Sequence, residues 1–301
     1  MNILRFITIL TIAIAITSCE KVSLDEISDK GGTTQPTQGN ASLFVHIGQI
    51  ENLHYANENT TAESRATEEI SNVCSKLTLA LFQDGTRVFY KNQDSKDGSF
   101  GNIETKVPEG KYTLMVIAHS NEKHATTTKL NELTFDGKVS DTFHYAKEIE
   151  LKAGNNSFDI VLQRATAMFR LEITDQIPDN AKQLKFYYTG GSSTLDGTTG
   201  YGNKNSRQTE YREIKNDVST YDVYTFPHQE KKNLKITVTA LDASGSAICE
   251  KVFENVDIEK NVITHYKGSL FGNVVKPSEP DNFAFRFTAE TNWAKENTTT
   301  F

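Results

Sequence analysis

The residue best placed to do chemistry in this chain is Cys19. It follows Ile16-Thr17-Ser18 at the close of an apolar start that runs from Phe6 to Ile16 behind a positive head, Arg5. About ten apolar residues ending in small side chains make a secretory signal, too short to cross a hydrocarbon core roughly 30 Å thick. A cysteine just past the cut offers a thiol that accepts a diacylglyceryl group, and cleavage exposes its amine. The spacing predicts a covalent lipid on Cys19 and no other cofactor. An ordinary signal peptide with an incidental cysteine is the plainer alternative.

Other reactive groups give less. Cys74 and Cys249 each lie beside a strand-like segment. A location outside the cytoplasm permits a disulfide between them, but they fall in different halves of the chain, which favours two separate buried thiols. Neither has a partner ligand at zinc-site spacing. The histidines are scattered. The glycine-rich stretch 190–202 lacks the Gly-Lys-Ser/Thr ending of a phosphate loop, no G-x-S-x-G elbow is present, and no acidic loop fits calcium. Glu68-Glu69 reads as a solvated face. These residue types predict no enzyme and no metal.

Composition narrows the class further. The chain has 301 residues, 37% apolar and 24% charged, with a net charge of −7. Loss of residues 1–18, which hold one arginine and no acid, moves that to −8. Such a balance suits a soluble folded body and argues against a nucleic-acid face, which needs a basic stripe.

The elements that must carry Cys19 follow from the pattern. Residues 1–18 are the signal, and residues 19–40 are polar and rich in Gly, Thr and Pro, hence a flexible tether. From residue 41 the period is two: Leu43, Val45 and Ile47 alternate with Phe44, His46 and Gly48, and Leu77, Leu79 and Leu81 with Thr78, Ala80 and Phe82. Asp84-Gly85, Pro108-Glu109-Gly110 and Ala153-Gly154-Asn155 supply turns. A second series starts near Ala167, with Phe169, Leu171 and Ile173 on one side, and continues through 184–188, 222–226, 234–240 and 262–272. Short strands with turns about every ten residues predict an all-β chain of two tandem β-sandwiches, 41–165 and 166–272.

Residues 273–301 form a linker and a last strand, because Pro277 and Pro280 cannot join a sheet interior. There Phe283, Phe285 and Phe287 alternate with Ala284, Arg286 and Thr288. They read either as the final strand of the second sandwich or as a strand lent to a neighbouring subunit, the β-addition mode.

Three stretches are distinctive: Phe186-Tyr187-Tyr188-Thr189-Gly190-Gly191 through Tyr201-Gly202, Ile263-Thr264-His265-Tyr266-Lys267-Gly268-Ser269-Leu270-Phe271-Gly272, and Arg164-Ala165-Thr166-Ala167-Met168-Phe169-Arg170. Together they resemble the fimbrillin superfamily of Bacteroidales, in its fimbrial-anchor branch, over residues 41–272. The resemblance implies transthyretin-like, Greek-key sandwiches in a surface-exposed lipoprotein of the outer membrane. It also implies a pilus subunit, of the anchor or accessory kind, that assembles with other fimbrial subunits by β-strand exchange and supports adhesion to an unnamed host or bacterial surface. Stalk subunits of that superfamily are cut after an arginine, which releases the first strand as an edge strand and opens a groove. Ser64-Arg65-Ala66-Thr67 lies where such a cut between Arg65 and Ala66 would fall. An anchor keeps its first strand and its lipid, so Arg65 reads either as that processing site or as a solvated loop residue.

A surface glycan-binding lipoprotein would share the signal, tether and sandwiches. It would need an aromatic platform, for which Tyr187, Tyr188 and Tyr201 are the candidates, with Trp293 set apart in the tail.

Overall fold

The computed structural model describes residues 39–50, 70–215, 217–272, 287–288 and 295–301. The period-two segments form strands throughout. The first half comprises β1 (Ala41–Ile50), a four-residue helix α1 (Ile70–Val73), β2 (Lys76–Gln83), β3 (Thr86–Asp94), β4 (Asn102–Val107), β5 (Gly110–His119), β6 (Thr142–Leu151) and β7 (Gly154–Arg164). Strands β3-β2-β5-β6 make one layer and β4-β1-β7 the other. The layers touch where β6 meets β7, at Phe143↔Arg164 and His144↔Gln163.

The second half comprises β8 (Ala167–Ile173), β9 (Gln183–Thr189), the short pair β10 (Leu195–Asp196) and β11 (Tyr201–Gly202), β12 (Arg207–Glu213), β13 (Thr220–Thr225), β14 (Leu234–Leu241), β15 (Ala247–Val256) and β16 (Val262–Gly268). Its layers are β12-β9-β14-β15 and β13-β8-β16. With the β10-β11 pair set aside, the plan repeats that of the first half strand for strand. In both, the opening strand pairs antiparallel with one neighbour and parallel with the closing strand: β1 with β4 and β7, β8 with β13 and β16. The tail adds β17 (Phe287–Thr288) and β18 (Lys295–Thr300) beyond β16.

Each pair of layers encloses its own core. Leu43, Val45, Ile47, Leu79, Val116 and Leu162 belong to the first, and Phe169, Leu171, Phe186, Tyr188, Ile236 and Val238 to the second. Burial of each such side chain contributes about 1.5–3 kcal/mol. The hairpin β2–β3 turns at Asp84 and Gly85, whose φ angles of 50° and 76° are the left-handed pair a two-residue turn needs.

A third apolar cluster joins the halves. Ala80, Phe82, Met115 and Ile117 on the outer face of β2 and β5 are covered by Ala125, Leu133 and Val139 of the 120–141 excursion, and by Leu195 and Phe226 of the second half. No described helix is long and apolar enough to cross a membrane.

Candidate strand-exchange site

Strand exchange needs a seat that one strand can leave and another can fill, which only an opening or closing strand offers. β1 is a poor candidate for an edge. The resemblance implies a releasable edge strand for cleaved subunits; here β1 lies between β4 and β7, in register from Ala41↔Val107 to His46↔Asn102 on one side and from Ala41↔Gly154 on the other. Its inward residues Ala41, Leu43, Val45, Ile47 and Ile50 are at most 3% exposed. Its pairing with β7 joins residues over 100 positions apart, which no local pattern encodes. Withdrawal of β1 would expose an apolar trough and strip hydrogen bonds from two strands at once.

The closing strand β16 has a different neighbour. Its free side is occupied by β18, which runs parallel to it from Val262↔Lys295 to Lys267↔Thr300. β17 then pairs antiparallel with β18, Phe287↔Thr299 and Thr288↔Thr298. The sequence of β18, Lys-Glu-Asn-Thr-Thr-Thr, brings no large apolar residue. What fastens it is the residue that follows. Phe301 donates its backbone N–H to Lys267 O at 3.1 Å, and its ring meets Phe253 edge-on, centroids 5.0 Å apart. Lys251 Nζ lies 4.9 Å from that ring's centroid. Gly268 makes the approach feasible, because a Cβ there would stand 1.9 Å from Phe301 O.

The turn after β16 is pinned separately. Asp175 accepts from Ser269 Oγ at 2.8 Å and from the N–H groups of Leu270 and Phe271 at 3.0 and 2.8 Å. Across the sheet, Glu172 pairs with Lys267 at 2.8 Å and His265 at 3.0 Å. The hydrogen bond from Lys267 holds the Glu172 carboxyl below its ordinary range. β16 is thus tied on its β8 side by ion pairs, while its other side carries a strand joined by a backbone ladder, the buried Thr299 beside Tyr266 and the terminal Phe301 ring.

Of the residues singled out in the sequence, Cys19, Arg65, Ala66, Phe283 and Phe285 lie outside the described residues. Phe287 opens β17. The contact that sequence reasoning missed is Phe301. Its only signal was an aromatic residue standing alone after a polar run.

The glycine-rich stretch proves to be the weld between the halves. Leu195 and Leu133 exchange backbone bonds at 2.7 and 3.0 Å, and Gly197 N donates to Leu130 O at 2.7 Å. A Cβ on Gly197 would stand 2.6 Å from that oxygen. His144 Nε2 bonds Gly197 O at 2.8 Å, and burial pushes its pKa down to about 4. Lys260 donates to Thr199 O at 3.0 Å and lies 3.4 Å from the Tyr201 ring centroid; burial lowers its pKa to about 8.

The Arg164-Ala165-Thr166 stretch fastens the same seam. Arg164, 4% exposed at its side chain, binds both oxygens of Asp141 and reaches Asn261 Oδ1 at 2.7 Å, while Thr166 Oγ1 donates to Asp141 at 2.9 Å.

Neighbouring tyrosines in the sequence do not form a platform. Tyr188 points into the second core, with its hydroxyl 2.5 Å from Glu210 Oε1, and burial raises its pKa well above the usual value. Cys74 and Cys249 are free thiols, the first buried and the second half-buried. Among the described residues no cluster of three His, Cys, Asp or Glu side chains could hold a metal ion.

Comparison with known proteins adds the following. The family model described as fimbrillin-A associated anchor proteins Mfa1 and Mfa2 matches residues 53–250. No curated protein matches the chain. Among solved structures, the fimbrial anchor protein Mfa2 from Porphyromonas gingivalis is 13% identical, with 70% of this chain and 81% of that one covered and a TM-score of 0.42. A fimbrial assembly protein from Parabacteroides distasonis is 16% identical, with 76% and 90% covered and a TM-score of 0.38. The tip fimbrial protein Mfa3 from Porphyromonas gingivalis, truncated at its C-terminus, is 8% identical, with 71% and 81% covered and a TM-score of 0.38.

Proposed function

The chain belongs to the fimbrillin-A associated anchor protein family, structural fimbrial subunits rather than enzymes, and from that premise we propose that it moors a fimbrium to the outer membrane. Cys19 carries the lipid, residues 20–40 form the tether, and the paired sandwiches stand clear of the headgroups. Its partners are other fimbrial subunits, joined by exchange of a β-strand beside β16. The observation that carries this reading is the family match over residues 53–250. The seat of β18 supplies the route.

Exchange at β16 is physically cheaper than exchange at β1. The paired strands β17 and β18, leaving β16 together, give up one ladder of backbone bonds and the Phe301 contact. An incoming strand of matching pattern restores both, and main-chain bonds with alternate side-chain pockets set its register. Removal of β1 opens two ladders and a core. A subunit that retains β1, with Arg65 uncut, fits the anchor role.

Protein recovered from outer membranes tests this through its N-terminus. Mass spectrometry should find a diacylated Cys19 and radiolabelled palmitate in the band. A free Ala66 terminus without lipid would instead make the chain a shaft subunit and end the anchor reading.

A further inference from the structure

We propose that the outer face of the β12-β9-β14-β15 sheet, together with the cleft at its end, binds an acidic polysaccharide. Register puts the relevant side chains on one surface. Thr209 lies opposite Tyr187, which lies opposite Thr237, and Thr237 faces Val252. Tyr211, two residues beyond Thr209 on β12, is the diagonal neighbour of Tyr187, a spacing of about 7–8 Å between backbones. Tyr187 is 39% exposed, Tyr211 51% and Val252 45%. Two tyrosines on a flat strand surface, flanked by threonine hydroxyls, offer apolar ring faces to sugar C–H groups and hydroxyls to sugar oxygens. Tyr188 could not serve, because neighbours along a strand point to opposite faces.

The next row along the same face, Arg207 opposite Thr189, opens into a cleft of about 1090 Å³. Arg207, Lys231 and Lys232 supply three positive charges to its lining, Asn205, Asn233 and Asn255 supply amides, and no carboxylate lines it. Lys231 is paired with Asp257 at 2.9 Å, and Lys232 lies 3.4 Å from Asn205 Oδ1. Arg207 makes no ion pair among the described residues. Cations gathered in one cleft of a chain with net charge −7 are a local anion site.

The occupant follows from the combination. Aromatic faces with hydroxyls suit sugar rings, and cations with amides suit carboxylate or sulfate groups a residue or two along the same polymer. A peptide strand has no purchase here, since β9 and β14 are paired on both sides and the site is a face, not an edge. The matching face in the first half is filled by the 120–141 excursion, Leu195 and Phe226, so the open one is a departure from the repeat. This surface lies on the other layer from β16, and the inference is independent of strand exchange.

The full chain in detergent tests it by biolayer interferometry on immobilised chondroitin sulfate and polygalacturonate, with neutral dextran and poly-glutamate as controls. The expected result is binding to at least one acidic glycan and none to dextran. Two losses should follow: the Tyr187→Ser/Tyr211→Ser variant falls about tenfold, and Arg207→Ala/Lys232→Ala falls as far and loses most of its salt dependence. Both variants should melt with the parent, since the changed side chains are exposed. Three results overturn the proposal: no binding to either acidic glycan, full binding by the tyrosine variant, or poly-glutamate held as tightly as the glycans. The sulfate-bearing and uronate surfaces, run side by side, tell which anion is preferred.

Discussion

The two halves of this protein share one seven-strand plan and use it in opposite ways. In the first, the outer face of β2 and β5 is buried under Ala125, Leu133, Val139, Leu195 and Phe226, and the closing strand β7 is tied at its end to β6. In the second, the outer face of β12, β9 and β14 is open and carries Tyr211 and Tyr187, and the closing strand β16 is covered by the chain's own tail. The first half has that outer face covered; the second leaves the matching face open and closes its β16 edge with the tail. The same sheet order therefore serves as a buttress in one place and as a working surface in the other. Polar and apolar contacts at the seam make the second half's position depend on the first.

The contrast can be broken most severely at the seam. Arg164→Ala takes the buried bidentate partner from the half-buried Asp141 and the donor from Asn261 Oδ1, and should cost about 3–5 kcal/mol. Differential scanning calorimetry should then resolve two transitions where the parent shows one. Next in size, Leu43→Ala in β1 removes a fully buried side chain and should cost about 2–5 kcal/mol. Phe301→Ala, at a half-buried rim, should cost only about 1–2 kcal/mol. Chemical denaturation of both variants checks the ranking, and equal losses would erase the distinction between an embedded opening strand and a displaceable tail.

A smaller effect comes from acid. Burial pushes the His144 pKa down to about 4 in the folded state, against 6.5 in the unfolded chain, with Lys260 lowering it further and Gly197 O and Asp196 raising it. The unfolded chain thus binds more protons between those values. The stability that neutral His144 contributes is fully present above pH 6.5 and is lost as pH falls toward 4. His144→Gln, which can keep a bond to Gly197 O, should reduce the fall in melting temperature across that window, the rest persisting because burial pushes the His119 pKa down to about 3. Smallest of all, Tyr187→Ser and Tyr211→Ser should each change stability by less than about 0.5 kcal/mol, although the same changes remove the open face's aromatic surface.

The sequence made some of this legible. The alternation of Leu43, Val45 and Ile47 and of Phe169, Leu171 and Ile173 identified β1 and β8, because one face of each is wholly apolar. β4 and β12 were not visible. Their sequences, Asn-Ile-Glu-Thr-Lys-Val and Arg-Gln-Thr-Glu-Tyr-Arg-Glu, are mostly polar, as befits strands at the ends of their layers. The glycine-rich stretch was conspicuous, yet its use depends on Leu130 and Leu133, more than sixty residues away. The interior place of β1, the seat of β18 and the partnership of Tyr187 with Tyr211 all arise from pairing between distant segments. A pattern read along one strand cannot supply that information.

Strand exchange at β16 requires that β18 be able to leave, and a reversible lock measures that requirement directly. Lys267 and Thr300 are register partners on the two strands and both are exposed. A disulfide between Lys267→Cys and Thr300→Cys would hold the tail in its own chain. Oxidised protein should fail to incorporate into fimbriae, and reduction should restore incorporation to the parental level. Oxidised protein that incorporates as fast as reduced protein would contradict exchange at this edge.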